Sequence, residues 1–306
     1  MLLAASLVAA LAVAEAVCRH LYAERFAIVT DERNLLYAFD PALGWFPRPS
    51  TGSRFLGERS IEVRHNSLGL RDIEIGAAGN KTILFLGDSF VWGYDVDIGD
   101  RFTERLRRDL PQHRIVNAGI AGYGTDQEFL LLQRLWERVK PDIIVVMFCV
   151  DNDRRDNSTN SRYDGHYKPY LELTPDGGAQ FRGQPVPKSR HVYFIENPLA
   201  HHSWLARVAV SAFVQLRHPP LQVADPTERL VGMMRDFVHA RGARFMVGLQ
   251  HEEPQLQSFL TAQKIPHTSF DGADHYLGDG DHWTPKGHDF VAARLTALLA
   301  EIGVTP

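Results

Sequence analysis

Four short stretches of the chain are apolar at nearly every position. They are TILFLG (82–87), RIVNAG (114–119), DIIVVMFCV (142–150) and RFMVGLQ (244–250). A strand that is buried on both faces of a parallel sheet has this continuous apolar pattern, whereas a strand with one face in water alternates apolar and polar residues. The pattern therefore predicts four parallel strands that are covered on both sides.

Outside these stretches, apolar residues recur every three to four positions, which is the spacing of an amphipathic helix. The spacing predicts helices over residues 100–110, 126–139, 226–241 and 285–301. The last helix has a clear start, because Thr284 is a suitable N-cap and Pro285 stands at the first helical position. Buried strands that alternate with helices indicate an α/β fold with a mostly parallel, doubly wound sheet.

The first 25 residues differ from the rest of the chain. Residues 1–18 carry no charge except that of Glu15, and basic residues follow them. This pattern predicts a signal peptide or a transmembrane anchor. Ala14-Glu15-Ala16 offers a small-x-small cleavage site, while the run that ends at Tyr22 is just long enough to cross a membrane. Cleavage, retention as an anchor and burial as an amphipathic helix of the folded domain all remain open.

The remainder divides into two parts. Residues 26–79 have mixed polarity and turn residues, which predict an irregular N-terminal extension with short strands. The main domain, residues 80–306, contains a polar insertion at 153–225, in which YKPYLELTPDGGAQF (167–181) has the pattern of a hairpin. An insertion of this length is more typical of a functional segment than of a passive loop.

Composition excludes several classes of function. The chain has 306 residues, and its formal net charge of −4 gives none of the basic surface that nucleic-acid binding requires. It has two cysteines, Cys18 and Cys149, and both lie in apolar stretches. Two such cysteines supply neither a disulfide framework nor a cysteine-based zinc site.

Chemically useful residues follow the predicted strands. Ser89 comes directly after the first strand, and Asn152 comes after the third. In a doubly wound sheet, ligands bind beyond the carboxyl ends of the strands, so both side chains are expected at one crevice. The second strand leads into NAGIAGYG (117–124), whose glycines let a backbone N–H approach a ligand closely. Its spacing and its place after the second strand do not fit a dinucleotide-binding fingerprint.

The stretch GDGDHWTPKGH (278–288) supplies a base and an acid. A serine hydroxyl is a poor nucleophile until an imidazole takes its proton, and that imidazole needs a carboxylate to orient it. His282 and Asp279 fit these two roles. A metal site that also uses Asp281 and His288 is the less favoured alternative, because a turn and a proline separate the two histidines. We expect no metal and no cofactor.

Together these motifs resemble the four sequence blocks of the SGNH, or GDSL-type, hydrolases. The blocks are ILFLGDSF, the segment around Gly122, the pair Asn152-Asp153, and Asp279-x-x-His282, and the likeness covers about residues 80–302. It implies a three-layer α/β/α, flavodoxin-like fold and hydrolysis of an acyl ester through an acyl-serine intermediate. The stretches NSLGLRD, GYGTDQ and YKPY are similar to those of membrane-anchored bacterial members.

The resemblance also implies roles for particular residues. Ser89 would be the nucleophile, His282 the general base and then acid, and Asp279 the carboxylate that orients the imidazole. The backbone N–H groups of Ser89 and Gly122 and the side chain of Asn152 would form the oxyanion hole.

Two positions depart from the family pattern. Val150 stands where the third block usually has glycine, which bears on the geometry of Asn152. Asp281, next to His282, is a second candidate for the orienting carboxylate, although the spacing favours Asp279.

From these features we expect an extracytoplasmic, membrane-anchored serine esterase, or a secreted one if the N-terminal segment is cleaved. The expected substrate is an O-acetyl group on a carbohydrate, and the insertion at 153–225 is expected to cover the cleft. Two alternatives use the same scaffold. One is an O-acyltransferase that passes the acyl group to a sugar hydroxyl, and the other is a carbohydrate-binding protein without catalysis.

Overall fold

The computed structural model describes residues 1–28, 36–57, 59–77, 79–163, 165–278 and 280–305. The strands are β1 Tyr37–Asp40, β2 Gly44–Pro47, β3 Gly52–Leu56, β4 Ser60–Arg64, β5 Thr82–Gly87, β6 Arg114–Gly119, β7 Ile143–Phe148, β8 Ser161–Arg162, β9 His166–Tyr167, β10 Tyr170–Leu173, β11 Ala179–Arg182, β12 Arg244–Leu249 and β13 His267–Ser269. The helices are α1 Leu2–Tyr22, α2 Ser89–Trp92, α3 Phe102–Asp109, α4 Thr125–Val139, α5 Asp153–Asn157, α6 Arg190–Glu196, α7 Pro198–His202, α8 Trp204–Arg217, α9 Thr227–His239, α10 Pro254–Ala262 and α11 Pro285–Ala300, and a 3-10 turn covers Ile98–Asp100.

The central sheet has five parallel strands in the order β13-β12-β7-β5-β6. Within this sheet, the first strand along the chain is β5. The next strand, β6, lies at the edge on one side of β5, and β7, β12 and β13 follow in order on its other side. This is the flavodoxin-like order, so the predicted α/β fold is confirmed. The direction of winding reverses between β5 and β7, and a crevice opens there at the carboxyl ends of the strands.

Both faces of the sheet are covered by helices, as the continuous apolar strands predict. On β5, Leu84 and Leu86 belong to a core shared with helices α4 and α9. The alternate residues Ile83 and Phe85 belong to a second core, shared with α3 and α11. Because successive side chains of a strand point to opposite faces, a strand between two helical layers is apolar throughout.

The predicted elements of the main domain are present within one or two residues of their expected ends. The hairpin predicted at 167–181 is also present, as β10 and β11. Several elements were not predicted, among them strand β13 and helix α10. Strand β13 has only three residues, of which one is buried. A strand of this length is too short to give a periodic signal.

The N-terminal extension contains the short strands expected of it, in the antiparallel pairs β1–β2 and β3–β4. Trp45 and Val63 from these hairpins lie in the same core as the central sheet. Arg71 is buried, and its guanidinium donates to the carbonyl oxygens of Trp92 at 3.0 Å and Val96 at 2.9 Å. The extension therefore supports the chain just beyond helix α2. The division into an extension, a main domain and an insertion stays a prediction.

Helix α1 is mostly apolar, with charged or titratable side chains at Glu15, Arg19 and His20, and none of its residues is fully buried. By length and composition it can cross a membrane, and a signal sequence would satisfy the same criteria.

Replacing Arg71 with methionine tests the link between the extension and the rest of the fold. The variant keeps the apolar stem but leaves buried carbonyl oxygens without their donor, so the free energy of unfolding should fall by about 2–4 kcal/mol in urea titrations. Arg64→Met, an exposed change in the same extension, is the matched control and should lie within about 0.5 kcal/mol of wild type. Equal stability of the two variants would contradict the structural role of Arg71.

Candidate active site

Ser89 lies where the sheet changes direction, as the first residue of helix α2. Strand β5 ends at Gly87, and a Cβ built there would lie 2.3 Å from a methyl carbon of Val91, so only glycine fits this tight strand-to-helix turn. Asp88 is the N-cap, and its Oδ1 accepts the N–H of Phe90 at 3.0 Å. The turn places the serine hydroxyl at the mouth of the crevice.

His282 meets the serine directly. Its Nε2 lies 2.8 Å from the Oγ of Ser89, which is hydrogen-bond distance. The imidazole stacks on the ring of Tyr94, with ring centroids 4.4 Å apart, and it also contacts Phe90. On another side Gly280 approaches closely, because a Cβ on that residue would lie 2.7 Å from Cε1 of the ring. These contacts fix the orientation of the imidazole.

Asp279 and Asp281 are the two candidates for the carboxylate that orients His282. Asp279 lies outside the described residues. Asp281 has a positive φ of 43°, and its Oδ1 accepts the N–H of Gly278 at 3.1 Å. The carboxylate of Asp281 is therefore already engaged with the backbone of its own turn.

Asn152 lines the same crevice, and Gly122 lies next to two residues that line it, Ala121 and Tyr163. Gly122 lies in the turn after β6 with φ +82°, and a Cβ there would clash with the ring of Tyr163 at 2.5 Å. The Nδ2 of Asn152 donates to Oδ2 of Asp88 at 3.0 Å and lies 3.1 Å from the Sγ of Cys149. The structure thus brings Ser89, His282 and Asn152 together around one cleft.

The cleft has a volume of about 380 Å³. Sequence reasoning missed several side chains that line it, among them Tyr94, Arg155, Arg162 and Tyr163. Arg155 lies in α5, and Arg162 and Tyr163 follow that helix closely. All three belong to the first residues of the insertion, so their closeness to Asn152 in sequence was a usable signal. Among the described residues, no three His, Cys, Asp or Glu side chains are grouped as metal ligands.

Buried acids lie behind the cleft. Glu128 and Asp153 are fully buried. Burial, together with the neighbouring charges of Asp88 and Asp126, raises the pKa of Glu128 well above its ordinary value. Burial and the charge of Glu128 do the same to the pKa of Asp153, although Asp153 accepts the N–H of Cys149 at 2.8 Å. Both environments favour the protonated acid.

His288 is also buried. Its Nδ1 accepts the N–H of Phe102 at 3.2 Å, which places the proton of the neutral ring on Nε2. Burial, and then the charges of nearby arginines, lowers the pKa of His288 well below its ordinary value. The residue therefore caps helix α3 as a neutral imidazole and does not line the cleft.

Glu128→Gln should stabilise the protein more as the pH rises. A raised pKa means that, above the ordinary value of 4.5, the folded protein binds more protons here than the unfolded chain, so wild-type stability falls with increasing pH. Glutamine does not ionise, so the variant lacks this loss of stability at high pH. We expect thermal unfolding to show a Tm gain of a few degrees at about pH 8 and a smaller gain at about pH 5.

Glu137→Gln, an exposed change on the same helix, is the control and should show no such trend. A Tm difference for Glu128→Gln that is independent of pH would show that this carboxyl titrates normally.

Comparison with known proteins identifies the family. The family model for the GDSL-like lipase/acylhydrolase family matches residues 85–290. Among solved structures, TesA is similar with 15% identity and a TM-score of 0.43, and the match covers 72% of this chain and 99% of that one. An acetylxylan esterase mutant from Geobacillus stearothermophilus is similar with 12% identity and a TM-score of 0.38, covering 73% of this chain and 95% of that one.

A comparison with curated protein sequences finds no match. The family match spans more than half of the chain and includes the end of the strand that leads to Ser89, Ser89 itself and the turn that carries His282. The chain therefore belongs to the GDSL-like lipase/acylhydrolase family, and it is an enzyme that hydrolyses ester bonds.

Proposed function

We propose that this enzyme is a membrane-anchored serine esterase that removes O-acetyl groups from an extracytoplasmic carbohydrate. The 2.8 Å contact between Ser89 Oγ and His282 Nε2 carries the catalytic part of the proposal. An imidazole at this distance can take the hydroxyl proton as the oxygen attacks.

The reaction proceeds in two halves. Ser89 Oγ attacks the ester carbonyl carbon while its proton moves to His282 Nε2, and a tetrahedral oxyanion forms. As the carbon–oxygen bond to the alcohol breaks, His282 returns the proton to the leaving oxygen, and the acyl group stays on Ser89. Water then attacks the acyl-serine with the same proton transfers, which releases the carboxylic acid and restores the hydroxyl.

The oxyanion is held by the backbone N–H groups of Ser89 and Gly122 and by the amide of Asn152. One N–H of this amide donates to the buried carboxylate of Asp88, which fixes the amide plane. The other faces the sulfur of Cys149. A thiol sulfur is a weak acceptor, so this N–H can exchange its hydrogen bond to sulfur for a stronger one to the oxyanion. The geometry supports this role although Val150 replaces the usual glycine.

For the orienting carboxylate we propose Asp279. The carboxylate of the alternative, Asp281, already accepts the backbone N–H of Gly278. If this carboxylate rotated toward His282, the N–H of Gly278 would lose its acceptor.

The cleft favours a substrate with a polar alcohol portion. Charged side chains of Asp151, Arg155, Arg162 and Asp281 stand around it. A carbohydrate presents hydroxyl groups to such donors and acceptors, whereas a long acyl chain would leave them desolvated without partners. The aromatic faces in the cleft are Phe90, Tyr94 and Tyr163, and a sugar ring can pack against such faces.

The first test compares wild type with Ser89→Ala as full-length proteins in detergent. On p-nitrophenyl acetate and on an acetylated oligosaccharide, Ser89→Ala should lose at least about 10³-fold in kcat, with acetate release as the readout. Ser258→Ala, on the surface of helix α10, is the matched control and should keep full activity.

Equal rates for wild type and Ser89→Ala would refute the nucleophile. Acetyl transfer to an added sugar in preference to water would instead identify a transferase that uses the same site.

Asn152→Ala tests the oxyanion hole separately. Loss of one donor to the oxyanion should lower kcat by about 10²–10³-fold with little change in KM, because the bond forms fully only in the transition state. Steady-state kinetics give both constants, and thermal unfolding checks that the fold is retained. An unchanged kcat in a folded variant would remove Asn152 from the mechanism.

A further inference from the structure

Helix α8 partly reverses the usual pattern of a surface helix, because it turns an arginine and a serine inward and an apolar face outward. Its buried positions are Arg207, Ser211 and Val214, which are 7%, 4% and 3% exposed. Its exposed apolar positions are Ala209, Ala212, Phe213 and Leu216, which recur every three to four residues and so share one face. Phe213 is 56% exposed and Leu216 is 86% exposed. This outward face, named here the α8 apolar face, carries no charge.

The polar inward face is satisfied by the protein itself. The guanidinium of Arg207 donates to the carbonyl oxygens of Ala200 at 2.8 Å, Phe26 at 2.9 Å and His201 at 2.6 Å. Phe26 lies just after helix α1. Arg207 therefore ties α7 and α8 to the end of the N-terminal helix, and it leaves the apolar side of α8 as the side that faces away from the domain.

Helix α1 is attached to α8 at a second point. The carboxylate of Glu15 accepts the N–H groups of Trp204 at 2.7 Å and Leu205 at 3.0 Å, and also the hydroxyl of Ser203 at 2.7 Å. A carboxylate at a helix N-terminus satisfies donors that lack partners within the helix and is favoured by the helix dipole. This attachment accounts for the one acidic residue in an otherwise uncharged apolar run.

The attachment also sets a depth. Glu15 lies seven residues before Tyr22, the last residue of α1, which is about 10 Å along a helix at about 1.5 Å per residue. If α1 crosses a bilayer and leaves it at Tyr22, the start of α8 lies about 10 Å below the membrane surface. Helices that lie in a membrane surface bury their apolar face by about 5–10 Å, so the depth of the attachment matches this type of helix.

We propose that helix α8 lies in the membrane surface beside the α1 anchor, with the α8 apolar face in contact with the acyl chains of the bilayer. This inference rests on the proposed membrane anchoring. Helices α6 and α7, which pack against α8, also carry exposed apolar side chains, Ile195 and Leu199. The insertion is thus both a wall of the cleft and a membrane-binding element, and the anchor is a docked part of the fold and not a flexible tether.

The test places a fluorophore on the α8 apolar face. Phe213→Cys is made in full-length protein that carries Cys18→Ser, and it is labelled with an environment-sensitive dye, while Cys149 is buried and escapes labelling. The labelled protein is reconstituted into phosphatidylcholine–phosphatidylglycerol vesicles. We expect a blue-shifted emission that lipids with a doxyl group near the headgroup quench strongly and that aqueous iodide does not quench. Ile73→Cys, an exposed apolar position in the extension, is the matched control and should show the reverse.

A second variant tests the attachment. Glu15→Leu removes the acceptor at the start of α8 while keeping α1 apolar, so quenching of the label at position 213 by doxyl lipids should decrease. Glu24→Leu, beyond the end of α1, should leave this quenching unchanged.

Other outcomes overturn the inference in different ways. Iodide quenching at position 213, in protein whose intact mass shows that α1 is retained, would place α8 in water. Shielding from both iodide and doxyl lipids would show that a second copy of the chain covers the face. An intact mass that lacks α1 would refute the anchor as well, while the Ser89→Ala result would still decide the esterase chemistry.

Discussion

The carboxylate of Asp88 joins the two strand ends on which the site depends. One oxygen caps helix α2 and so positions the turn that carries Ser89, and the other accepts the amide of Asn152 from the end of β7. The carboxylate is buried, so its hydrogen bonds are not exchanged with water and each constrains its partner strongly. Strands β5 and β7 are neighbours because the sheet reverses its winding there. Asp88 can therefore reach both the turn after β5 and Asn152 after β7.

The sequence is most informative where one physical requirement controls many residues. A strand between two helical layers must be apolar throughout, so β5, β6, β7 and β12 can be located almost to the residue. Parallel strands bring their carboxyl ends to one edge, and this rule alone predicts that Ser89 and Asn152 meet at the same crevice. His282 follows from the chemistry of serine activation and from the resemblance.

The sequence is less informative where the signal lies between distant segments. Tyr94 stacks on His282 although most of the main domain separates them along the chain, and no local pattern indicates that pairing. Glu128 occupies an ordinary position in an amphipathic helix, and only the fold shows that it is enclosed with acidic neighbours. The reversal of helix α8 is a third case, because a mixed apolar helix has the same periodicity whichever face is turned inward.

The attachment of Glu15 also bears on processing by proteases. Proteases that cut a chain bind it in an extended form, but Ala14-Glu15-Ala16 is helical in the folded protein and its carboxylate is held by the start of α8. Cleavage there would first require several turns of helix to unwind and three hydrogen bonds to break. Processing at this site would therefore compete with folding in time, and a chain that folds first keeps its N-terminal helix.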